Sequence, residues 1–264
     1  MLRLLFHILL ILLLTILTQI GGVIYLLSIL FIKKSIFKYR LKRMLLFSGL
    51  YLLSTFLIVP YLAPFFGRQK IENNYRIQNQ SFFTILCNRN YVTPELHEML
   101  VDTSLHLNKW FPNTQLVYLD ANFPFFDGFP LLPHLSHNDG KKIDLSFVYN
   151  DANGEPTNEK PSNTGYGVFE NPRLGEINQT QICKDNGGWQ YDFPKYLTLG
   201  STDELTVNTD QTKKLIQLVA QHPKVKKIFL EPHLKKRWQL NSNKIRFHGC
   251  KAVRHDDHIH VELN

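Results

Sequence analysis

Two short stretches hold most of this chain's capacity to bind a metal or move a proton. In HLSHNDGKKID, residues 134–144, His134 and His137 are followed by Asp144. In HDDHIHVELN, the last ten residues, His255, His258 and His260 crowd together. Strand residues two apart face the same side. His258 and His260 therefore share a face, and Ile259 and Val261 point the other way, into a core. The turn Asn138-Asp139-Gly140 is able to carry His137 back over Asp144. Two imidazoles and one carboxylate leave a fourth tetrahedral position for water, which is the composition of a catalytic zinc site. Zinc acidifies such a water and polarises a carbonyl. His and Asp donors also take other divalent metals, and a lone HxH pair is usually packed or surface histidine.

These residues need elements to position them. Residues 93–111 have helical spacing, with Leu96, Met99, Leu100, Leu105 and Leu107 close to one face and Thr93-Pro94 as N-cap and N1. Residues 209–223 form a second helix, opened by Thr209 or Asp210 and stopped by Pro223. TQLVYLDANF, KKIDLSFVYND, KVKKIFLEP and HDDHIHVEL read as strands, as does SFFTILCNRN. Helices mixed with mostly antiparallel strands predict an α+β domain, a small antiparallel sheet with flanking helices carrying the zinc site. It is expected over residues 81–264. Residues 151–200, rich in Asn, Gly and Pro, read as a long loop within it, of the kind that is either disordered or functional.

The 264 residues carry a formal net charge of +8. Residues 1–66 hold seven of the 30 basic residues and no acidic one, so the remainder is almost neutral, with 23 basic residues against 22 acidic. A phosphate-binding surface on the C-terminal part is not implied, and no nucleic-acid partner is expected. Residues 4–32 and 44–66 are apolar runs, each as long as the ~20 residues that cross a bilayer or longer, and they predict a two-helix transmembrane hairpin over 1–66. The first run is too long for a signal peptide's apolar region and lacks an evident cleavage site. Between them, residues 33–43 hold six basic residues, which keeps this loop cytoplasmic. The N-terminus and everything after residue 66 are then outside the cytoplasm. Residues 67–80 read as a tether. No CxxC pair exists among Cys87, Cys183 and Cys250, which excludes a zinc ribbon. In an exported domain two of the three are able to pair, and the sequence leaves open which two, or whether all are buried thiols.

The pattern H-x-x-H-x(6)-D (His134, His137, Asp144) together with H-x-x-H-x-H-V (His255, His258, His260, Val261) resembles the penicillin-insensitive murein endopeptidases. These belong to the lysostaphin, D-Ala-D-Ala peptidase and hedgehog-type metallopeptidases. VAQHPKVKKIFLEPHLKKR, residues 219–237, resembles the family's stretch ahead of its HxH. The likeness covers about residues 115–150 and 205–264. It implies His137, Asp144 and His260 as zinc ligands and His258 as a non-ligand that positions water or stabilises the oxyanion. It places His134 and His255 in or near the site. One zinc ion is expected. For a second metal, residues 200–214 supply Asp203, Glu204 and Asp210 but no His.

The resemblance implies a zinc endopeptidase that cuts peptide cross-links of peptidoglycan. With the two spans, it would sit in a bacterial inner membrane with its catalytic domain in the periplasm. Its partners would be peptidoglycan stem peptides and the membrane. Two other functions fit the same residues: a D,D- or L,D-carboxypeptidase on stem peptides, and a non-catalytic wall-binding domain with a structural zinc.

Overall fold

The computed structural model describes residues 1–202 and 204–264, so Asp203 lies outside the described residues. The chain divides into two units: Met1–Ile71, Phe83–Pro94 and Asn122–Gly140 form one, and Glu72–Phe82, Glu95–Ala121 and Lys141–Asn264 form the other.

In the first unit, residues 4–32 do not make one span. They break into α1 (Leu2–Thr18) and α2 (Gly21–Phe31). The break falls at Gln19, in the left-handed region with φ 62°. The glycines after it let α2 fold back along α1, since a Cβ on Gly22 would lie 1.9 Å from the Thr15 hydroxyl and 2.5 Å from the Ile11 carbonyl. A 2.8 Å hydrogen bond between His7 and the Tyr25 hydroxyl joins the two helices further along. At 1.5 Å per residue, α1 and α2 are about 26 and 17 Å long, short of the ~30 Å hydrocarbon layer. Among the described residues, one helix, Tyr39–Phe66, with 28 residues, is long and apolar enough to cross a membrane. It runs as α3 (Tyr39–Leu53), a π-helical turn (Ser54–Ile58), α4 (Val59–Leu62) and a final 3-10 turn. Pro60 and Pro64 lack amide donors, and the regular ladder gives way around them.

The rest of this unit folds onto those helices. β1 (Gln69–Lys70) pairs with β3 (Tyr91–Val92). Residues 82–86, expected as strand, form the short helix α5 (Phe82–Leu86). The Tyr51 hydroxyl donates to the Leu86 carbonyl at 2.5 Å, and the Phe125 amide donates to the Gln19 side chain at 3.2 Å. Val59, Ala63 and Tyr91 form a buried core with Ile20 and Phe125 against it. Phe66 meets the rings of Phe125 and Phe126 at 5.0 and 5.6 Å.

The second unit is built on a six-stranded sheet. Its strands are β2 (Ile77–Asn79), β4 (Leu116–Asp120), β5 (Lys142–Ser146), β9 (Val225–Phe229), β10 (Ile245–Arg246) and β11 (His258–Leu263). The order is β10-β9-β11-β5-β4-β2. The central pairings are antiparallel, but β10 with β9 and β4 with β2 are parallel, so the sheet is larger than expected and mixed. β1 and β2 lie within the stretch expected as a tether. β6 (Tyr149–Asn150), β7 (Pro156–Thr157) and β8 (Thr206–Val207) make a separate antiparallel sheet.

Two amphipathic helices belong to this unit. α6 (Pro94–Trp110) buries Leu96, Met99, Leu100, Thr103, Ser104 and Leu107, a stripe of helical period. α8 (Thr209–Gln221) buries Leu215, Ile216 and Val219 and packs on β9. Its N-cap is Asn208, one residue before the expected opener, whose side chain accepts from the Gln211 amide at 3.0 Å. Two short helices, α7 (Gln179–Asp185) and α9 (Pro232–Arg237), complete the set.

Candidate metal centre

Strand register brings the polar residues into line. In β11, Ile259 and Val261 pair with Leu145 and Ile143 of β5, and all four are fully buried. Alternation then forces His258 and His260 to the opposite face. His260 lies directly across from Asp144, and Asp144 directly across from Asp120 of β4. Phe229 of β9 flanks His260 on the other side. Facing strand residues share a face, so Phe229, His260, Asp144 and Asp120 form one row across four strands. His260 Nδ1 and Asp144 Oδ1 are 2.9 Å apart.

His258, two residues back along β11, is held by its neighbour in sequence. Its Nδ1 is 2.5 Å from Asp257 Oδ1. A carboxylate accepting from Nδ1–H fixes the tautomer and leaves Nε2 for other work. That Nε2 lies 3.9 Å from Asp144 Oδ1. The expected long loop reaches this point. The Tyr166 hydroxyl donates to Asp144 Oδ2 at 2.7 Å, and the Gly167 amide donates to Asp257 Oδ2 at 2.6 Å. Tyr166 also sets its ring edge-on to His258 at 4.9 Å.

The same segment is tied to the approach of β11 at several further points. The Glu170 amide donates to the Asp256 carbonyl at 2.7 Å, and the Arg254 amide to the Tyr191 carbonyl at 2.9 Å. Arg254 forks onto the Asp256 carboxylate and also reaches Asn171. Burial nonetheless pushes the Asp256 carboxyl up to about 7, against the opposing pull of Arg254. Cys183 of α7 is disulfide-bonded to Cys250, and Cys87 is a free, buried thiol. Residues 151–200 are therefore a packed flap rather than a loose loop. Trp189 stays 74% exposed, with its ring against Phe193.

His255 sits behind the row. Its ring is 4.9 Å from His258 and 5.2 Å from His248, and His248 stacks on Phe229 at 3.8 Å. Burial above all holds the His255 imidazole well below its usual range. Glu231 accepts from the His255 amide at 3.2 Å and from the Tyr191 hydroxyl at 2.6 Å. Trp238 is buried with its ring against Phe147. Glu231 and Trp238 are packing residues of this face.

In the first unit, residues 134–137 form a turn in which the His137 amide donates to the His134 carbonyl at 2.9 Å. The two rings are 5.3 Å apart, and His137 is buried. Among the described residues there are His and Asp groupings that could hold a metal ion, and they draw on Asp120, His134, His137, Asp144 and His260. His255 and His258 are not among them.

The sequence reading missed Asp120, Asp257 and His248. Asp257 had a signal, since it adjoins His258. Asp120 lies within a predicted strand, but only the register shows which residue it faces. No protein-family model matches this chain, and no curated protein matches it.

Proposed function

We propose that this chain is a membrane-anchored metallopeptidase that hydrolyses peptide cross-links of peptidoglycan, with one zinc ion held by His137, Asp144 and His260. The observation that supports the reading best is His260 directly opposite Asp144 in the sheet, beside the Asp257–His258 pair. The donor set fits the metal. Two ligands about 2.0–2.2 Å from one tetrahedral zinc lie about 3.3–3.5 Å apart, and the 2.9 Å between His260 and Asp144 needs only a small adjustment. When bound, zinc would lower the pKa of water and polarise the scissile carbonyl. The chain's own residues supply the rest. Asp257 accepts from His258 Nδ1–H, so His258 Nε2 is the atom that takes and returns a proton. Tyr166 donates to Asp144 and fixes the orientation of its carboxylate.

Two features support an extracytoplasmic position for the second unit, which in a bacterium with an outer membrane is the periplasm. The basic loop at 33–43 favours the cytoplasmic side, and the Cys183–Cys250 disulfide belongs in an oxidising compartment. With one crossing at Tyr39–Phe66, the fold-back of α1 and α2 brings the N-terminus to the side of the basic loop. That reverses the orientation expected for the N-terminus from two spans.

A second reading, a non-catalytic wall-binding domain with a structural zinc, draws on the burial of the site. Asp144, His258 and His260 are 2, 3 and 4% exposed, and closed zinc sites are the structural kind. A carboxypeptidase on stem peptides would use the same residues. The deciding experiment mixes the full-length protein in detergent, with zinc or with chelator, with purified cross-linked murein and follows products by mass spectrometry. Zinc-dependent conversion of dimers to monomers is the expected result. Shortened monomer stems would indicate the carboxypeptidase. Stoichiometric zinc without cleavage would favour the structural reading, and an active His260→Ala protein would remove the ligand assignment.

A further inference from the structure

The first unit contains a cavity of about 690 Å³ between α1, α2 and α3, remote in sequence from the metal-binding residues. Its volume falls in the range of small-molecule sites, ~300–1,000 Å³. Its walls are apolar, with Leu10 and Leu14 of α1 and Phe47 of α3 among them. Its rim carries Arg3, Lys34, Arg40 and Arg43. From Arg3 to Leu14 the cavity follows α1 for about 16 Å, at 1.5 Å per residue.

Residues 1–66 contain no Asp or Glu. The rim cations therefore have no carboxylate in this segment to neutralise them. Two are already aimed by local contacts. Arg40 donates to the Tyr39 hydroxyl at 3.2 Å, and Arg43 donates to the Ile32 carbonyl at 2.8 Å while its guanidinium lies 5.5 Å from the Tyr39 ring centre. These bonds leave other guanidinium donors for an anion. A cluster of cations above an apolar channel, at the end of a membrane-crossing helix, matches one kind of molecule: an anionic headgroup continued by a hydrocarbon chain.

We propose that this cavity binds one anionic phospholipid, with the phosphate among Arg3, Lys34, Arg40 and Arg43 and one acyl chain along Leu10, Leu14 and Phe47. The test is native mass spectrometry of the full-length protein in detergent with phosphatidylglycerol, phosphatidylcholine or glycerol phosphate. One phosphatidylglycerol should be retained in preference to phosphatidylcholine. Arg3→Gln and Arg40→Gln should each weaken retention about fivefold. Leu14→Trp, which fills the channel, should also expel the lipid while leaving the thermal transition in place, and Leu10→Phe serves if that variant fails to fold. Equal retention of both lipids, or retention unchanged in the arginine and channel variants, overturns the proposal. Displacement by equimolar glycerol phosphate also overturns it, because the site would then be a headgroup site without a role for the chain.

Discussion

At the scale of single residues, the proposed chemistry separates into positions that hold the metal and positions that handle protons. His258→Ala should keep its zinc and lose about 10²–10⁴-fold in turnover, the usual worth of a general acid–base group. Zinc content measured beside the rate checks this, and an unchanged rate would remove the role. Tyr166→Phe deletes the hydroxyl that donates to Asp144 and should weaken zinc binding by about 10–100-fold, as loss of a ligand's supporting hydrogen bond does. Competition with a coloured chelator reads that change. Lys160 makes a prediction about pH. It is buried, donating to the Phe147 carbonyl at 3.2 Å with the Tyr149 ring 5.4 Å away, and burial lowers its pKa to about 7 from 10.5. The unfolded chain binds the extra proton between those values, so stability from this residue rises with pH from about 7 to about 10.5. Lys160→Met should stabilise the protein by roughly 3–5 kcal/mol at pH 6–7. The gain should fade as the pH approaches 10.5, and denaturant melts at several pH values would show a flat difference if the lysine were not buried as described.

At the scale of elements, the flap at 151–200 is pinned to the segment leading into β11 by the Cys183–Cys250 disulfide and by buried polar contacts. Cys183 and Cys250 are 67 residues apart. Closing a loop of that length constrains the unfolded chain by about 4 kcal/mol, so Cys183→Ser with Cys250→Ser should lower the unfolding free energy from denaturant melts by that order. Zinc affinity should fall as well, because Tyr166 and Gly167 belong to the same flap. The legibility of the elements follows their length and periodicity. β11 could be read because Ile259 and Val261 alternate with His258 and His260, and α6 and α8 because their apolar residues keep a helical period. β2 and β10 span three and two residues, too short for any pattern, which hid the parallel edges of the sheet. α5 was misread as a strand because a short apolar run has no decisive period. The break between α1 and α2 was written in Thr-Gln-Ile-Gly-Gly, residues 18–22, but mean apolar character outweighed one Gln and two Gly. For the site, the ligand candidates were visible as motifs. Asp120 and Tyr166 were not, since strand register and the path of the flap decide their positions.

At the scale of the molecule, the apolar helices and the turn that bears His134 and His137 belong to one folded unit. A fragment covering residues 67–264 would leave Tyr91 and Phe125 without Val59, Ala63 and Phe66. It should be poorly soluble or melt well below the full-length protein in detergent, and size-exclusion chromatography with a thermal scan measures both. A monomeric fragment with an unchanged transition would mean that those contacts are dispensable. The β1–β3 pairing gives this unit one more consequence. A protease that nicked the chain near residues 72–76 would cut a covalent link, yet Gln69–Lys70 on one piece would still be paired with Tyr91–Val92 on the other. Shedding would fail, and the severed piece would stay with the apolar helices. Under the proposed function, cleavage of the wall would then be confined to the layer nearest the membrane.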